Sequence, residues 1–304
     1  MKKYLIIGGA GFIGSHLSEA LLSQGNNVVI IDNASTASIR IHNSKIKSYK
    51  INIEEAKKVA NVFEKEKPDV VFHLAGAISL RRVIADPLFL KDMHFLSRTK
   101  IILDACKKHK IKKIVFISSG GAIYESAKVI PTKEEYPAHP SSLYGLANVI
   151  TEKYIELYGK NYNLDFTIAR LSNAYGPRQW QSGFIPATII KMLKKESPVI
   201  YGTGNQTRDF IYIDDVVKAL IMLAKKGNNE IYNVGSGKEV SLNEVFKLTK
   251  DFLGAKIKPL YKNLSVLETR RSAIDTEKIK KEFGWHPKTN IKEGLLKTIK
   301  WYEE

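Results

Sequence analysis

The chain has 304 residues, 44% of them hydrophobic and 26% charged, with a formal net charge of +17 and a single cysteine, Cys106. That length allows one large domain or two unequal ones, no apolar stretch approaches the roughly 20 residues of a membrane span, and one cysteine excludes an internal disulfide and fits a reducing cytoplasm. Lysines are spread through every segment with no basic arm, so the charge reads as a solvated surface favouring anionic small molecules, not as a nucleic-acid or membrane surface.

Lys2 and Lys3 precede the apolar run Tyr4-Leu5-Ile6-Ile7, which stops at Gly8 and is too short for a secretory leader. That run predicts a strand, and Ile13, Leu17, Ala20 and Leu21 predict a helix after it. Between them, Gly8, Gly9, Gly11 and Gly14 fit both Gly-x-Gly-x-x-Gly and Gly-x-x-Gly-x-x-Gly, with Phe12 and Ile13 opening the helix. A strand, a glycine turn and a helix N-terminus form a phosphate site, because backbone N–H groups and the helix dipole face the anion. A second strand, Val28-Val29-Ile30-Ile31, ends in Asp32, 18 residues after Gly14, followed by Asn33. An acidic residue there is placed to bind a ribose 2′-hydroxyl and repels a 2′-phosphate, which points to NAD over NADP.

Residues 46–53 predict a third strand, with Asn52 and Ile53 near an adenine if the sheet is doubly wound, and residues 54–66 an amphipathic helix stopped by Pro68. Residues 70–74 predict a buried fourth strand, in which His73 reads as a hydrogen-bonded strand residue; Leu74, Ala75 and Gly76 let backbone approach a ligand. A helix over 92–109, which packs Cys106 as an inert thiol, leads to a fifth strand over 113–119 ending in Ser118 and Ser119. This alternation means α/β architecture with a parallel sheet, whose ligands bind beyond the carboxyl ends of the strands. After a Pro137 to Pro140 loop, Ser141 or Ser142 caps a helix over 143–159 that sets Tyr144 and Asn148 on one face, Cβ atoms roughly 5–6 Å apart. Gly235-Ser236-Gly237-Lys238 lacks the spacing of a P-loop, and no metal-ligand cluster is expected.

The glycine motif, Asp32, His73-Leu74-Ala75-Gly76, Ser118-Ser119 and Tyr144-Gly145 together resemble the extended short-chain dehydrogenase/reductase family, among its nucleotide-sugar epimerases and dehydratases. The likeness continues through the stretch from Arg170 to Gln179, that from Gly204 to Asp215, and Phe283-Gly284-Trp285-His286-Pro287. It implies a Rossmann-type doubly wound parallel sheet over residues 1–172 and a smaller α/β nucleotide-sugar domain over 173–304, with some C-terminal segments returning to the first. It also implies retained NAD, a UDP-linked sugar substrate and a homodimer packed through the helices near 92–109 and 143–159. In this family the tyrosine, here Tyr144, takes a proton from a sugar hydroxyl while NAD accepts hydride from the same carbon. Gly8, Gly11, Phe12, Ile13, Gly14, Asp32, Asn33, Asn52, Ile53, Leu74, Ala75, Gly76, Ser118, Tyr144 and Asn148 are then cofactor contacts. Asn173, Arg208 and either Arg270 or Arg271, with Arg271 taken first, are substrate-diphosphate contacts.

The chain departs from the family at several positions. The lysine expected four residues after the tyrosine is Asn148, which can hold a ribose but cannot favour a phenolate by charge. The catalytic serine or threonine is expected where Gly120 stands, and Ser119 substitutes only if the loop shifts. The Asp-Glu pair of the dehydratases is replaced by Gly121-Ala122, which disfavours elimination of water, and Glu125, where glycine is common, reads as facing water. The leading reading is C4 epimerisation of a nucleotide sugar through a 4-keto intermediate, with Tyr144 and Ser119 as catalytic residues. The alternative is a protein that binds NAD and a nucleotide sugar with weak or no turnover, because of Asn148 and Gly120.

Overall fold

The computed structural model describes residues 1–35, 43–75, 94–125, 127–179, 183–263 and 270–304. Gly76, the start of the helix expected from 92 and part of the loop after Gln179 lie outside the described residues. The first half comprises β1 (Lys3–Ile7), α1 (Phe12–Ser23), β2 (Asn27–Asp32), β3 (Lys47–Lys50), α2 (Ala56–Glu66), β4 (Val70–His73), α3 (His94–Lys108), β5 (Lys113–Ser119), the one-turn α4 (Gly120–Ile123), α5 (Leu143–Tyr162) and β6 (Asp165–Leu171). The second half adds β7 (Asn173–Tyr175), α6 (Phe184–Leu193), β8 (Val199–Tyr201), β9 (Thr207–Arg208), β10 (Phe210–Tyr212), α7 (Ile213–Lys226), β11 (Glu230–Val234), β12 (Val240–Ser241), α8 (Leu242–Phe252), β13 (Leu260–Lys262), α9 (Glu277–Phe283) and α10 (Ile291–Glu303).

Seven strands form one sheet in the order β11-β6-β5-β4-β1-β2-β3. Every pairing within it is parallel. The order runs outward from β1 in both directions, so the sheet is doubly wound and its switch point lies between β1 and β4. Ile7 pairs with Ile31 on one side and His73 on the other, which brings the ends of β1, β2 and β4 level. β11 joins this sheet beside β6 although it follows residue 173 in the chain, and α7 packs on α1.

The central strands β1, β2 and β4 read as continuous apolar runs because both faces are covered, whereas the edge strand β3, Lys47-Ser48-Tyr49-Lys50, is polar and largely exposed. Tyr4, Ile6, Val28, Ile30 and Phe72 pack with Leu17 and Leu21 of α1 and Val216 and Leu220 of α7. Leu5, Ile7, Val29, Ile31 and Val71 turn the other way, onto Val59 and Phe63 of α2, Ile102 and Cys106 of α3 and Ile155 of α5. Cys106 is fully buried there, and burial pushes its thiol up. α5 does not stop near Gly159: a Cβ at that position would stand 2.5 Å from the Phe166 ring, so the glycine serves a close helix-to-strand contact. The helix ends instead at Asn163, in the left-handed region at φ 53°.

Helical spacing carries Glu66 into the buried stripe of α2, after Val59, Val62 and Phe63. Its carboxylate accepts from Tyr49 Oη at 2.5 Å and pairs with Lys47 at 2.5 Å and Lys3 at 3.4 Å, tying α2 to β1 and β3. Burial raises the carboxyl's pKa, but bonding to Lys47 and Tyr49 outweighs it and holds Glu66 at about 2. A carboxylate with a depressed folded pKa contributes stability above its unfolded value and loses it as the pH falls. Glu66→Gln is therefore expected to cost about 1–2 kcal/mol at neutral pH. In paired melting curves the gap from the unmodified chain should narrow between pH 4.5 and about 2; a pH-independent gap refutes the account.

Candidate functional site

The switch point opens onto a glycine cradle. Gly8 has φ 86°, and a Cβ on it would stand 2.9 Å from the Ala75 nitrogen, while one on Gly14 would stand 2.3 Å from the Gly8 oxygen. A side chain at either position would part β1 from β4 or from α1. A Cβ on Gly11 meets only the Gly8 oxygen, at 3.3 Å, so that face of the turn is open. α1 begins after Gly11 at Phe12 and Ile13 with no side-chain cap, which leaves its dipole and N–H groups to an anion.

Asp32 closes one flank. Its Oδ2 accepts from the Ala10 N–H at 2.9 Å and its Oδ1 from the Ala34 N–H at 2.7 Å, joining the glycine turn to the loop after β2. Each oxygen keeps a second lone pair for a ligand hydroxyl. Asn33 turns its side chain back on Ser35, and Asn52 accepts from the Glu54 N–H ahead of α2, next to the partly buried Ile53. Leu74 donates its N–H to Ile7 at 2.9 Å, and Leu74 and Ala75 are the backbone that Gly8 approaches. His73 is buried, bonds Thr99 through Nε2 at 3.2 Å, and is pushed down to about 4 by burial; it is a structural strand residue.

A second cluster gathers at the end of β5 and the first turn of α5. Ser142 caps that helix through Gly145 at 3.1 Å. Burial pushes the Tyr144 phenol up, and hydrogen bonds from Ser119 and Asn148 pull against that shift. A Cβ on Gly120 would stand 3.1 Å from Ile274, aimed at the protein interior. Asn148 is buried and donates Nδ2 to the Tyr144 carbonyl at 2.8 Å. The Ser118 hydroxyl donates to Glu152, farther along the same helix, at 2.5 Å.

The third cluster comes from the second half of the chain. A Cβ on Gly121 would lie 3.9 Å from Asn173 Nδ2 and 3.8 Å from Ser272 Oγ, so the glycine leaves room between them just beyond Ser119. Asn173 donates N–H and Nδ2 to the Asp209 carbonyl at 2.9 and 3.2 Å, and the neighbouring Arg208 is half-buried on β9. Arg271 is turned outward: Glu239 holds its guanidinium at 2.9 and 2.5 Å, and its side chain is 64% exposed. Arg270 contributes its carbonyl to Thr207 at 3.0 Å.

Three carboxylates make contacts that sequence reasoning did not specify. Glu125, expected to face water, accepts three hydrogen bonds from Ser141 and Ser142. Glu152 is buried against Arg170, and the spacing of 144, 148 and 152 along one helix face was a signal for it. Asp209 is buried and binds Ser236 N–H and Oγ at 2.8 and 2.6 Å and Gly237 N–H at 3.0 Å, shaping the loop that faces Asn173 and Arg208. No group of histidine, cysteine or acidic residues among the described residues is arranged to hold a metal ion. No helix among the described residues is long and apolar enough to cross a membrane.

The cradle, the uncapped helix start and Asp32 suit the pyrophosphate and ribose of a dinucleotide. The family model described as NAD dependent epimerase/dehydratase family matches residues 4–235. A Methanocaldococcus jannaschii protein provisionally named as a UDP-glucose 4-epimerase is 39% identical over 98% of this chain and 97% of its own length. The UDP-glucose 4-epimerase of Mycolicibacterium smegmatis is 32% identical over 98% of this chain and 97% of its own. Among solved structures, UDP-glucose 4-epimerase of Thermotoga maritima with UDP-glucose superposes with a TM-score of 0.95 at 36% identity, covering 99% of this chain and 98% of that one. With the glycine cradle, the doubly wound parallel sheet and the tyrosine at the head of α5, these matches make the chain a member of the NAD-dependent epimerase/dehydratase family.

Proposed function

We propose that this protein is an epimerase that inverts C4 of a UDP-linked sugar through a 4-keto intermediate. The observation that supports this reading is Tyr144 in the first turn of α5, whose phenol burial pushes up and Ser119 and Asn148 draw back down, with the glycine cradle at the end of β1 and Asn173 beside Gly121. NAD, when bound, would supply reversible hydride transfer at the sugar C4. Gly8, Gly11 and Gly14, with the N–H groups of Phe12 and Ile13, would hold its pyrophosphate, and Asp32 a ribose hydroxyl. Tyr144 takes the proton of the sugar hydroxyl and gives it back, and Ser119 holds that oxygen in line. Asn173 and Arg208 hold the diphosphate, for which a guanidinium fork is suited; Arg270 is the better second clamp, since Glu239 occupies Arg271. Relatives named for UDP-glucose support the UDP moiety, and the absence of an acid-base pair at Gly121-Ala122 supports epimerisation over dehydration.

Incubation with UDP-glucose should give UDP-galactose. Tyr144→Phe should lower kcat on the order of 10²- to 10⁴-fold, and Ser119→Ala on the order of 10²-fold. An unchanged rate in Tyr144→Phe removes the tyrosine from the mechanism. The second reading, binding with weak or no turnover, rests on Asn148, and one variant separates the two. Because a base is needed, activity rises with pH through the phenol's titration, and burial has moved that titration upward. A cation at position 148 should move the rising limb of kcat down by roughly 1–3 pH units. If the unmodified chain shows no turnover of UDP-glucose, UDP-galactose or their N-acetylated forms while Asn148→Lys does, the binding reading replaces the epimerase reading.

The exposed Leu146, Leu157 and Tyr162 on α5, beside α3, support a homodimer packed through these two helices. Sedimentation should give twice the 34.3 kDa chain mass, with Leu157→Lys shifting it to monomer; a monomer at tens of micromolar rejects this assembly.

A further inference from the structure

Ser119 and Tyr144 lie on separate segments, and their contact depends on how the turn over 119–125 meets the stretch over 139–145. Three contacts fasten these together. The His139 N–H donates to the Ile123 carbonyl at 3.2 Å. Gly145 sits so close to the turn that a Cβ on it would stand 2.3 Å from the Ala122 oxygen and 2.7 Å from Pro140 Cβ. The third contact is Glu125: its Oε2 accepts from the Ser141 N–H at 2.8 Å and Ser141 Oγ at 2.6 Å, and its Oε1 from Ser142 Oγ at 3.1 Å. Ser142 Oγ in turn accepts from the Gly145 N–H, one residue beyond Tyr144. The carboxylate thus grips the cap of α5, at the end where the helix dipole favours a negative charge.

We propose that Glu125 is a positioning residue: it locks the first turn of α5 onto the turn after β5 and so fixes where Tyr144 stands relative to the end of β5. The proposal rests on the assignment of Tyr144 and Ser119 above, but the lock itself does not require turnover. Two of the three hydrogen bonds end on one oxygen, so a glutamine can keep them through its carbonyl while losing the charge. An alanine loses all three.

Kinetics of Glu125→Ala and Glu125→Gln with UDP-glucose, well below the melting temperature of each, test the lock. Glu125→Ala should lower kcat on the order of 10- to 100-fold, the scale of a catalytic group displaced by less than about 1 Å, with KM within about twofold. Glu125→Gln should recover most of the rate. A loss confined to KM, or a Glu125→Gln no better than Glu125→Ala, overturns the proposal. A readout without turnover keeps it decidable if the epimerase reading fails. In protein labelled with ¹³Cζ-tyrosine, the Tyr144 resonance is the one removed by Tyr144→Phe. It should shift or broaden in Glu125→Ala and stay in place in Glu125→Gln; a Tyr144 resonance unmoved by Glu125→Ala overturns the lock.

Discussion

The buried pair between Glu152 and Arg170 fixes where the chemistry stands. Arg170, on β6, meets Glu152 at 3.0 Å through Nε and 2.6 Å through Nη2, and the same carboxylate takes the Ser118 hydroxyl from β5. Burial works against the guanidinium's charge, yet Glu152 and Tyr124 hold its pKa above the ordinary value. Removing either partner would strand a charge in the interior, a penalty far larger than that of an exposed pair. One such contact therefore sets both the rotation and the register of α5 against the sheet. Tyr144, Asn148 and Glu152 share a stripe four residues apart, so anchoring Glu152 aims the other two at the strand ends.

Around that anchor the site is built from backbone as much as from side chains. The Gly8 and Gly14 positions admit no Cβ without parting packed segments, and Asp32 binds two backbone N–H groups. The second half of the chain uses the same device. Asp209 takes the N–H groups of Ser236 and Gly237 and presents its own carbonyl to Asn173. Each carboxylate orders a loop that would otherwise lose considerable entropy on closing around a ligand.

What was legible in the sequence follows from local periodicity. Runs such as Val28 to Ile31, apolar at every position, announce strands buried on both faces, and the glycine spacing is dictated by contacts within one strand-turn-helix unit. Side-chain direction at a strand end is a different matter. Ser118 is held by Glu152 of α5, and a Cβ at Gly120 would meet Ile274, contacts that no local periodicity announces. Glu125 and Arg271 were misjudged or left open because their partners lie 16 and 32 residues away in loops without periodic structure. Glu152 was the more accessible omission, since it continues the helical stripe that Tyr144 and Asn148 begin.

Asn148 changes what that geometry must deliver. The phenol is pushed up by burial and drawn back by Ser119 and Asn148, neither of which carries a charge. A nearby lysine would contribute roughly 1–3 units, through an interaction that falls off only as the inverse of distance. Hydrogen bonds weaken far more steeply with angle and separation. A site that relies on Ser119 and Asn148 in place of a charge therefore tolerates less displacement of Tyr144. α5 is fastened in two places, by Glu152 two turns along and by Glu125 at the cap, and under the proposed mechanism that fastening is what a tyrosine without a neighbouring cation would need.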